Sequence, residues 1–348
     1  MGLQFKDLIT TKKEISIENL KGKVLAVDAM NILYQFLTTI RGPGGEVLTD
    51  KNGVVTSHLL GLFFRTTSLM EEGLKLAFVF DGTPPEIKRR TWEKRTEMKK
   101  IASLKLKEAV EEGKLEEIKK YAARTSVLTK AMIEDAKNVI ASLGLPIVQA
   151  PSEGEAQTAY MVKKGVAYAS VSQDYDNLIF GCPRLIRNLS IEGRKKKTGT
   201  LGYQKVNPEL LLLEEILNEL HLTLDQLIHL AVLIGTDYNP GGIKGIGPKK
   251  ALKLLKEYGT DYERLFKEVK WSETFPDLDW RLVSKTITEI PVTDNYELTW
   301  KKCDKNEVFE LLVQKHNFSE ERVKNRLEKI QEMQEQNQQK GLQNFFRK

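Results

Sequence analysis

The chain has few of the residues that bind zinc or form disulfides. Its 348 residues include two cysteines, Cys182 and Cys303, and four scattered histidines. These are too few for a disulfide framework or a zinc cluster. No apolar run approaches the roughly 20 residues that a membrane-spanning helix needs. The first six residues also lack the basic-then-apolar order of a secretory signal. We therefore expect an intracellular protein that contacts no membrane.

Positive charge is concentrated in one part of the chain. The whole chain has a net charge of +6, whereas residues 88–130 alone carry fourteen basic and seven acidic residues, a net charge of +7. This segment has strong helical propensity and few apolar residues, which predicts exposed helices that leave the main body. A solvated charged face is the ordinary outcome of such a run. The alternative is a surface that binds a polyanion such as nucleic acid.

Short apolar runs alternate with helical patterns through the first half of the chain. The predicted strands lie at 24–28, 76–81, 146–149, 166–171 and 184–188. This alternation predicts an α/β fold with a mostly parallel central sheet flanked by helices. Residues 191–205 predict a basic β-hairpin or a loop. Residues 209 to about 258 predict helices, with an interruption at 239–248.

Seven acidic residues lie near the predicted strand ends or helix starts. They are Asp28, Asp81, Glu153, Glu155, Asp174, Asp176 and Asp237. Ligand sites of open α/β sheets lie beyond the carboxyl ends of the strands, so these side chains should converge. Their mutual repulsion requires cations. Oxygen ligands favour magnesium or manganese, which predicts a metal-dependent hydrolase.

Several of these acidic residues also have simpler structural interpretations. Ser152 and Glu155 fit a capping box at the start of a helix. Asp174 and Asp176 fit a solvated turn, although in an extended chain residues two apart point the same way and could share one metal. Asp237 fits a helix C-cap. The sequence leaves these alternatives open.

Three further side chains could act beside the carboxylates. Lys88 and Arg95 are seven residues apart, so they share one face of a helix and could stabilise charge on a phosphate that is being cut. Tyr34 follows Asp28 on a predicted helix and could stack on a base. A place in the core is the alternative for Tyr34.

A glycine-rich turn precedes a helix near residue 248. Gly245 and Gly247 would expose backbone N–H groups, Pro248 suits the first position of a helix, and Lys249 and Lys250 follow it. A helix N-terminus with lysines binds phosphate. The pattern resembles a helix-hairpin-helix element, and an ordinary structural turn is the alternative.

The last residues form a polar segment that ends in aromatic residues. The spacing of Gln339, Leu342, Phe345 and Phe346 matches the peptide that docks on the sliding clamp PCNA. A single helical turn would place the three apolar members on one side as anchors. We expect residues 331–348 to be a flexible tail.

Taken in order, the motifs resemble those of the flap endonucleases of the XPG-like superfamily, in an archaeal form. The segments that carry the resemblance are Val27–Met30, Val79–Pro85, Pro151–Gln157, Ser172–Asp176, Gly235–Tyr238 and Gly245–Ala251. The resemblance covers the whole chain. It implies a single nuclease domain at 1–330, with an N-terminal region to about 100, a helical arch at about 83–130, an internal region at about 120–260 and a helix-hairpin-helix at about 227–258. The clamp peptide would occupy 339–346.

The resemblance also implies a chemistry and its partners. A first carboxylate set (Asp28, Asp81, Glu153 and Glu155) and a second set (Asp174, Asp176 and Asp237) would bind two Mg²⁺ ions, with Mn²⁺ as a substitute. Lys88 and Arg95 would be catalytic cations and Tyr34 the stacking aromatic. K⁺ would assist the helix-hairpin-helix, and Arg41, Leu48 and Thr56 would shape a pocket for a three-prime flap. The partners would be DNA with a five-prime flap and PCNA, bound by a monomeric enzyme of the cytoplasm and nucleoid.

Three other functions remain possible from the sequence. A sister nuclease would cut bubbles or four-way junctions. A non-catalytic scaffold would bind DNA and the clamp, although seven repelling carboxylates bring it no benefit. A phosphohydrolase would act on small phosphate esters and would have no use for the arch.

Overall fold

A seven-stranded mixed sheet forms the centre of the molecule. The computed structural model describes residues 3, 5–42, 45–190, 194–196 and 203–346. The strands are β1 (Lys13–Glu14), β2 (Val24–Asp28), β3 (Lys75–Phe80), β4 (Ile147–Gln149), β5 (Ala169–Val171), β6 (Arg184–Arg187), β7 (Arg194–Lys196), β8 (Tyr203–Lys205) and β9 (Glu209–Leu212). The order in the sheet is β1-β9-β6-β5-β2-β3-β4, and β7 and β8 form a separate antiparallel pair.

Fifteen α-helices are described around this sheet. They are α1 (Ala29–Thr39), α2 (Ser57–Glu71), α3 (Arg89–Glu111), α4 (Leu115–Arg124), α5 (Lys130–Ser142), α6 (Gly154–Lys163), α7 (Asp176–Ile179), α8 (Leu213–Leu220), α9 (Leu224–Ile234), α10 (Pro248–Tyr258), α11 (Tyr262–Glu268), α12 (Trp271–Thr274), α13 (Trp280–Thr288), α14 (Lys305–Phe309) and α15 (Glu320–Phe346). In the described ranges, none of the helices is both long and apolar enough to cross a membrane.

The five central strands run parallel, so their carboxyl ends share one edge of the sheet. Strand β2 pairs with β3 on one side and with β5 on the other, and β4 and β6 extend the sheet outward. Leu25, Ala26 and Val27 of β2 are all buried, since helices cover both faces of the sheet. The α/β fold and the five predicted strands are confirmed.

One predicted helical stretch is wrong at its start. Residues 209–212 form strand β9, antiparallel to β6, instead of the beginning of a helix. Leu210 and Leu211 are buried there, and a short apolar run does not distinguish a buried strand from a buried helix. Helix α8 follows directly at Leu213.

The charged segment 88–130 forms the expected helical excursion. Helices α3 and α4 lie side by side, with Ala102 and Ala109 of α3 buried. On α3, Met98 and Leu104 remain exposed. This agrees with the expectation that α3, which has few apolar residues, is not a fully buried helix. The predicted hairpin is present as β7 and β8, while residues 191–193 and 197–202 lie outside the described part.

The C-terminal segment that was expected to be a tail continues helix α15. Helix α15 continues without a break from Glu320 to Phe346, although the side chains from residue 336 onward lie outside the described part. The first part of this helix is held on the nuclease body by three buried side chains, Val323, Leu327 and Ile330. The following glutamine- and glutamate-rich residues have good helical propensity and propagate it.

Candidate active site

The fold places all seven acidic residues around the carboxyl edge of the parallel strands. Asp28 is the last residue of β2 and the N-cap of α1, Asp81 follows β3, and Glu153 is the N-cap of α6. Glu155 and Asp176 lie in the first turns of α6 and α7, Asp174 lies between β5 and α7, and Asp237 follows α9.

The carboxylates lie close enough to perturb one another. Burial and the neighbouring charges of Asp81 and Asp174 raise the pKa of Asp28 to about 8. Burial and the charges of Asp174 and Asp237 raise the pKa of Asp176 to about 7. Burial also raises the pKa of Glu155, with contributions from Asp176 and Asp28. Both carboxylate sets therefore share one crevice.

Lys88 and Arg95 project from the base of the arch into this crevice. Lys88 Nζ lies 2.5 Å from Glu153 Oε2 and 3.2 Å from Asp237 Oδ2, and its side chain is 12% exposed. Arg95 donates to Asp237 Oδ1 at 2.6 Å. Burial alone would lower the pKa of Lys88, but Glu153 and Asp237 raise it well above its usual value. The same cations hold the pKa of Asp237 below its usual value despite burial.

The donor set fits hard divalent cations. In the described ranges, no three histidine, cysteine or acidic side chains already converge as a ready-made ion site. Several carboxylates instead accept N–H donors, for example from Leu3 to Asp176 and from Gly154 to Asp81. Glu153 Oε1 is buried, and no hydrogen-bond partner for it is found among the described residues. A buried, unsatisfied oxygen among carboxylates with raised pKa values indicates a place for positive charge.

The simpler interpretations of the acidic residues do not hold. The N-cap of α6 is Glu153, and the carbonyl of Ser152 accepts the N–H of Gly82, so the capping box of Ser152 and Glu155 is not formed. Gly235, not Asp237, caps the end of α9. Asp174 and Asp176 lie in a turn at the start of α7 and not in the extended chain that was expected. Burial raises the pKa of both carboxyls, so this turn is not a solvated one.

Tyr34 lies at the opening between the sheet and the arch. Its side chain is 39% exposed, which excludes the core alternative. Lys99 of α3 lies 5.8 Å from the centre of its ring, and its hydroxyl is 3.5 Å from the carbonyl of Ser126, just after α4. Aromatic and cationic groups thus face each other under the arch, an arrangement suited to single-stranded nucleic acid.

The loop between α1 and α2 carries the three predicted pocket residues, and the backbone of Arg41 bridges to Val47, next to Leu48. The backbone N–H and the hydroxyl of Thr56 both donate to the carbonyl of Leu48. Arg41 instead donates to the hydroxyl of Ser126, at the end of the arch, and to the carbonyl of Gly45. Residues 43 and 44 of this loop lie outside the described part.

The glycine turn before α10 has the expected helix-hairpin-helix form. Gly245 has φ +80°, Gly247 is the N-cap of α10 and Pro248 is its first residue. Gly245, Gly247, Lys249 and Lys250 are all exposed. The N-terminus of α10 therefore presents N–H groups and two lysines to solvent, as a phosphate site requires.

Comparison with known proteins decides the family. The model of the XPG N-terminal domain matches residues 1–102, and the model of the XPG I-region matches residues 144–237. A flap endonuclease 1 from Pyrococcus horikoshii is 50% identical over 346 residues, covering 99% of this chain and 98% of the relative. The flap endonuclease 1 of Pyrococcus furiosus is 49% identical over 348 residues, covering all of both chains. The chain belongs to the flap endonuclease family.

Solved structures agree with this membership. The flap endonuclease-1 of Methanococcus jannaschii has a TM-score of 0.74 and 44% identity, covering 95% of this chain and 98% of that one. The catalytic core of Rad2 in complex with a DNA substrate has a TM-score of 0.68 at 24% identity, covering 95% and 100%, which shows a shared fold. As a flap endonuclease, the protein is a structure-specific nuclease of DNA replication and repair, in a family of metal-dependent enzymes.

Sequence reasoning missed the polar residues that support the carboxylates. Asn31 contacts Asp28 and Asp174, and Ser172 Oγ lies 3.3 Å from Asp28 Oδ2. Thr91, in the arch, donates to the carbonyl of Asp237. The only signal in the sequence was position, since Asn31 comes three residues after Asp28 and Ser172 two before Asp174.

The raised carboxyl pKa values predict that this flap endonuclease loses stability with rising pH when no metal is present. From about pH 4 to about pH 8, folded Asp28 and Asp176 retain protons that the unfolded chain releases near pH 4. The folded state then binds more protons, so the free energy of unfolding falls as pH rises. We expect the Tm in EDTA to fall between about pH 5 and about pH 8, and calcium to restore it.

A matched pair of variants tests the cause of that slope. Asp28→Asn removes one of the raised carboxyls and should flatten the fall of Tm with pH. Glu289→Gln changes an exposed carboxyl at the C-terminal end of α13, outside the crevice. This variant should leave the slope unchanged. An unchanged slope in Asp28→Asn would show that the crevice carboxyls are not its source.

Proposed function

We propose that this enzyme removes five-prime flaps from DNA by two-metal hydrolysis of a phosphodiester, with Mg²⁺ as the usual ion and Mn²⁺ as a substitute. The main support is that two carboxylate sets share one buried crevice with Lys88 and Arg95 at its rim. Asp28, Asp81, Glu153 and Glu155 would hold one ion, and Asp174, Asp176 and Asp237 the other. Bound Mg²⁺ would supply activation of water and neutralisation of developing negative charge.

Lys88 and Arg95 contribute positive charge where the phosphate enters. In the structure both pair with Asp237, and Lys88 also pairs with Glu153. If Glu153 and Asp237 held cations, Lys88 and Arg95 would be free to turn to the phosphate oxygens. Their charge then stabilises the more negative transition state.

The arch and Tyr34 select a single strand. A single strand could place a base on Tyr34 and its phosphate beside Lys99, whose ammonium lies 5.8 Å from the centre of the Tyr34 ring. Arg95 is on the same helix and connects this path to the carboxylates. The strand that passes under the arch is therefore the flap.

The remaining DNA would be gripped away from the crevice. The exposed N-terminus of α10, with Gly245, Gly247, Lys249 and Lys250, would hold the duplex backbone, with K⁺ as an aid. The loop that carries Arg41, Leu48 and Thr56 would form a pocket for a one-nucleotide three-prime flap. Because phosphate contacts carry no sequence information, the enzyme would choose DNA by shape.

Comparison of three labelled substrates tests this function. A double-flap DNA, a bubble and a four-way junction of matched sequence are incubated with the enzyme and Mg²⁺. We expect one incision near the base of the five-prime flap and much slower cutting of the other two substrates. Preferred cutting of the bubble or the junction would assign the enzyme to the sister nucleases instead. Binding without incision would make it a scaffold.

The C-terminal peptide would tether the monomeric enzyme to PCNA. Its four residues, Gln339, Leu342, Phe345 and Phe346, fit the clamp-binding pattern, and their helix α15 starts on the nuclease body. Buried aromatic anchors often contribute 2 kcal/mol or more to binding, roughly 30-fold in affinity each. Phe345→Ala should therefore weaken clamp binding by about 30-fold or more, as measured by calorimetry.

A neighbouring variant is the control for clamp binding. Asn344 lies between the anchors but outside the pattern, so Asn344→Ala should bind the clamp normally. Both variants should cut flap DNA at the wild-type rate when no clamp is present. Equal clamp affinity for Phe345→Ala and the wild type would exclude this peptide as the tether.

A further inference from the structure

Asn31 joins the two carboxylate sets. As the third residue of α1, it donates its backbone N–H to Asp28 Oδ1 at 3.0 Å. Its side-chain Nδ2 donates to Asp174 Oδ2 at 2.8 Å, and its Oδ1 accepts the backbone N–H of Gln173 at 2.9 Å. One residue therefore contacts a member of each set and the backbone that precedes Asp174.

The contact to Gln173 is part of a ring that three hydrogen bonds and the backbone of α1 form together. Gln173 Nε2 donates to Ser190 Oγ at 2.9 Å, and Ser190 Oγ donates to Gln35 Oε1 at 2.6 Å. Gln35 lies one turn after Asn31 on α1, so the ring returns to the helix where it began. We call Asn31, Gln35, Gln173 and Ser190 the amide ring. It ties α1 to the chain after β5 and the chain after β6.

The amide ring leaves the chain before Asp174 little freedom. The N–H of Gln173 is held by Asn31, its carbonyl by Arg187 Nε at 2.9 Å, and its side chain by Ser190. Ser190 is buried, where a broken hydrogen bond leaves a polar group unsatisfied. The ring thus restrains the backbone that carries Asp174, and Asn31 also holds its carboxylate.

The side chain of Asn31 is not needed to form α1. Asp28 caps the helix through the backbone N–H of Asn31, which any residue but proline supplies. The side-chain amide instead holds one oxygen of Asp174 with a neutral donor. A neutral donor orients a carboxylate without cancelling its charge, whereas a lysine there would compete with a cation.

We infer that Asn31 is a positioning residue that, through the amide ring, presents Asp174 to the second cation while leaving the first cation's carboxylates in place. This inference rests on the proposed two-metal function. It predicts that loss of the Asn31 side chain weakens one ion-binding event and spares the other. Supporting residues of this kind typically change metal affinity or activity by about 10- to 100-fold.

Calorimetric titration of the DNA-free enzyme with Mn²⁺ tests the inference. The wild type should bind two ions. Asn31→Ala should weaken one event by about 10- to 100-fold and change the other by less than about 2-fold. The kcat on flap DNA should fall and recover in part at high Mg²⁺, with little change in KM. Two unchanged binding events in Asn31→Ala would overturn the inference and leave the proposed function intact.

Further variants separate positioning from general damage to the fold. Gln35→Ala opens the ring but keeps the contact between Asn31 and Asp174, so it should weaken the same event by less. In an Asp174→Asn background, adding Asn31→Ala should cause no further loss of ion affinity, whereas additive losses would contradict a route through Asp174. Asn138→Ala, on the exposed side of α5, is the control. A wild type that binds fewer than two ions would overturn both the inference and the proposed function.

Discussion

Asp174→Ala is expected to abolish flap cleavage while DNA binding remains. Asp174 lies between β5 and α7 and faces Asp28, Asp176 and Asp237 across the crevice. In the proposed two-metal mechanism its loss would remove a ligand of the second cation, whose charge stabilisation is worth several kcal/mol, so the single-turnover rate should fall by about 1,000-fold or more. Binding should persist or tighten, since a negative charge is removed near a polyanion. The rate and the Kd are measured on the same double-flap DNA.

An exposed carboxylate provides the comparison for that result. Glu289, which pairs loosely with Lys285 at 3.8 Å, is 66% exposed, and Glu289→Ala removes the same charge outside the crevice. It should cut at close to the wild-type rate. If Asp174→Ala turned over like the wild type, its assignment as a metal ligand would be wrong.

Lys88→Ala is expected to slow the chemical step by about 100- to 1,000-fold, with a much smaller change in KM. The expected loss is that of one preorganised charged group at the transition state. Lys88 is held in place by Glu153 and Asp237, and its pKa lies well above the usual value, so it stays charged throughout the working range of pH. Single-turnover rates at saturating enzyme isolate this step from binding and product release.

The neighbouring arginine and a conservative change complete the test. Arg89 is 77% exposed and pairs with Glu93 along the helix, so Arg89→Ala should alter salt-dependent binding more than the rate of cutting. Lys88→Arg keeps the charge and should recover part of the rate. A rise in KM with an unchanged kcat in Lys88→Ala would mean that Lys88 only binds DNA.

Much of the fold was accessible from the sequence because the central strands are buried on both faces. Continuous apolar runs such as those ending at Asp28 and before Asp81 have few other interpretations when helical patterns separate them. The convergence of the carboxylates in one crevice could also be predicted, since the carboxyl ends of parallel strands lie at the same edge of the sheet. Helical spacing predicted that Lys88 and Arg95 share one face, and both pair with Asp237.

Other features depend on contacts that spacing does not encode. Strand β9 was mistaken for a helix because its pairing with β6 is decided by tertiary packing. The start of α6 at Gly154, and not one residue earlier, follows from the bond between Gly82 and the carbonyl of Ser152. The amide ring connects residues up to 155 positions apart, so no local pattern marks it.

The most direct test is to incubate labelled double-flap DNA with the enzyme, first in EDTA and then after addition of Mg²⁺. The buried carboxylates, with Glu153 Oε1 unsatisfied and Lys88 in the crevice, indicate a site that needs divalent cations for chemistry. We expect tight binding without cutting in EDTA, and one incision near the base of the flap once Mg²⁺ is added. Equal cutting in EDTA, or binding that never leads to incision with Mg²⁺, would contradict metal-dependent hydrolysis in this crevice.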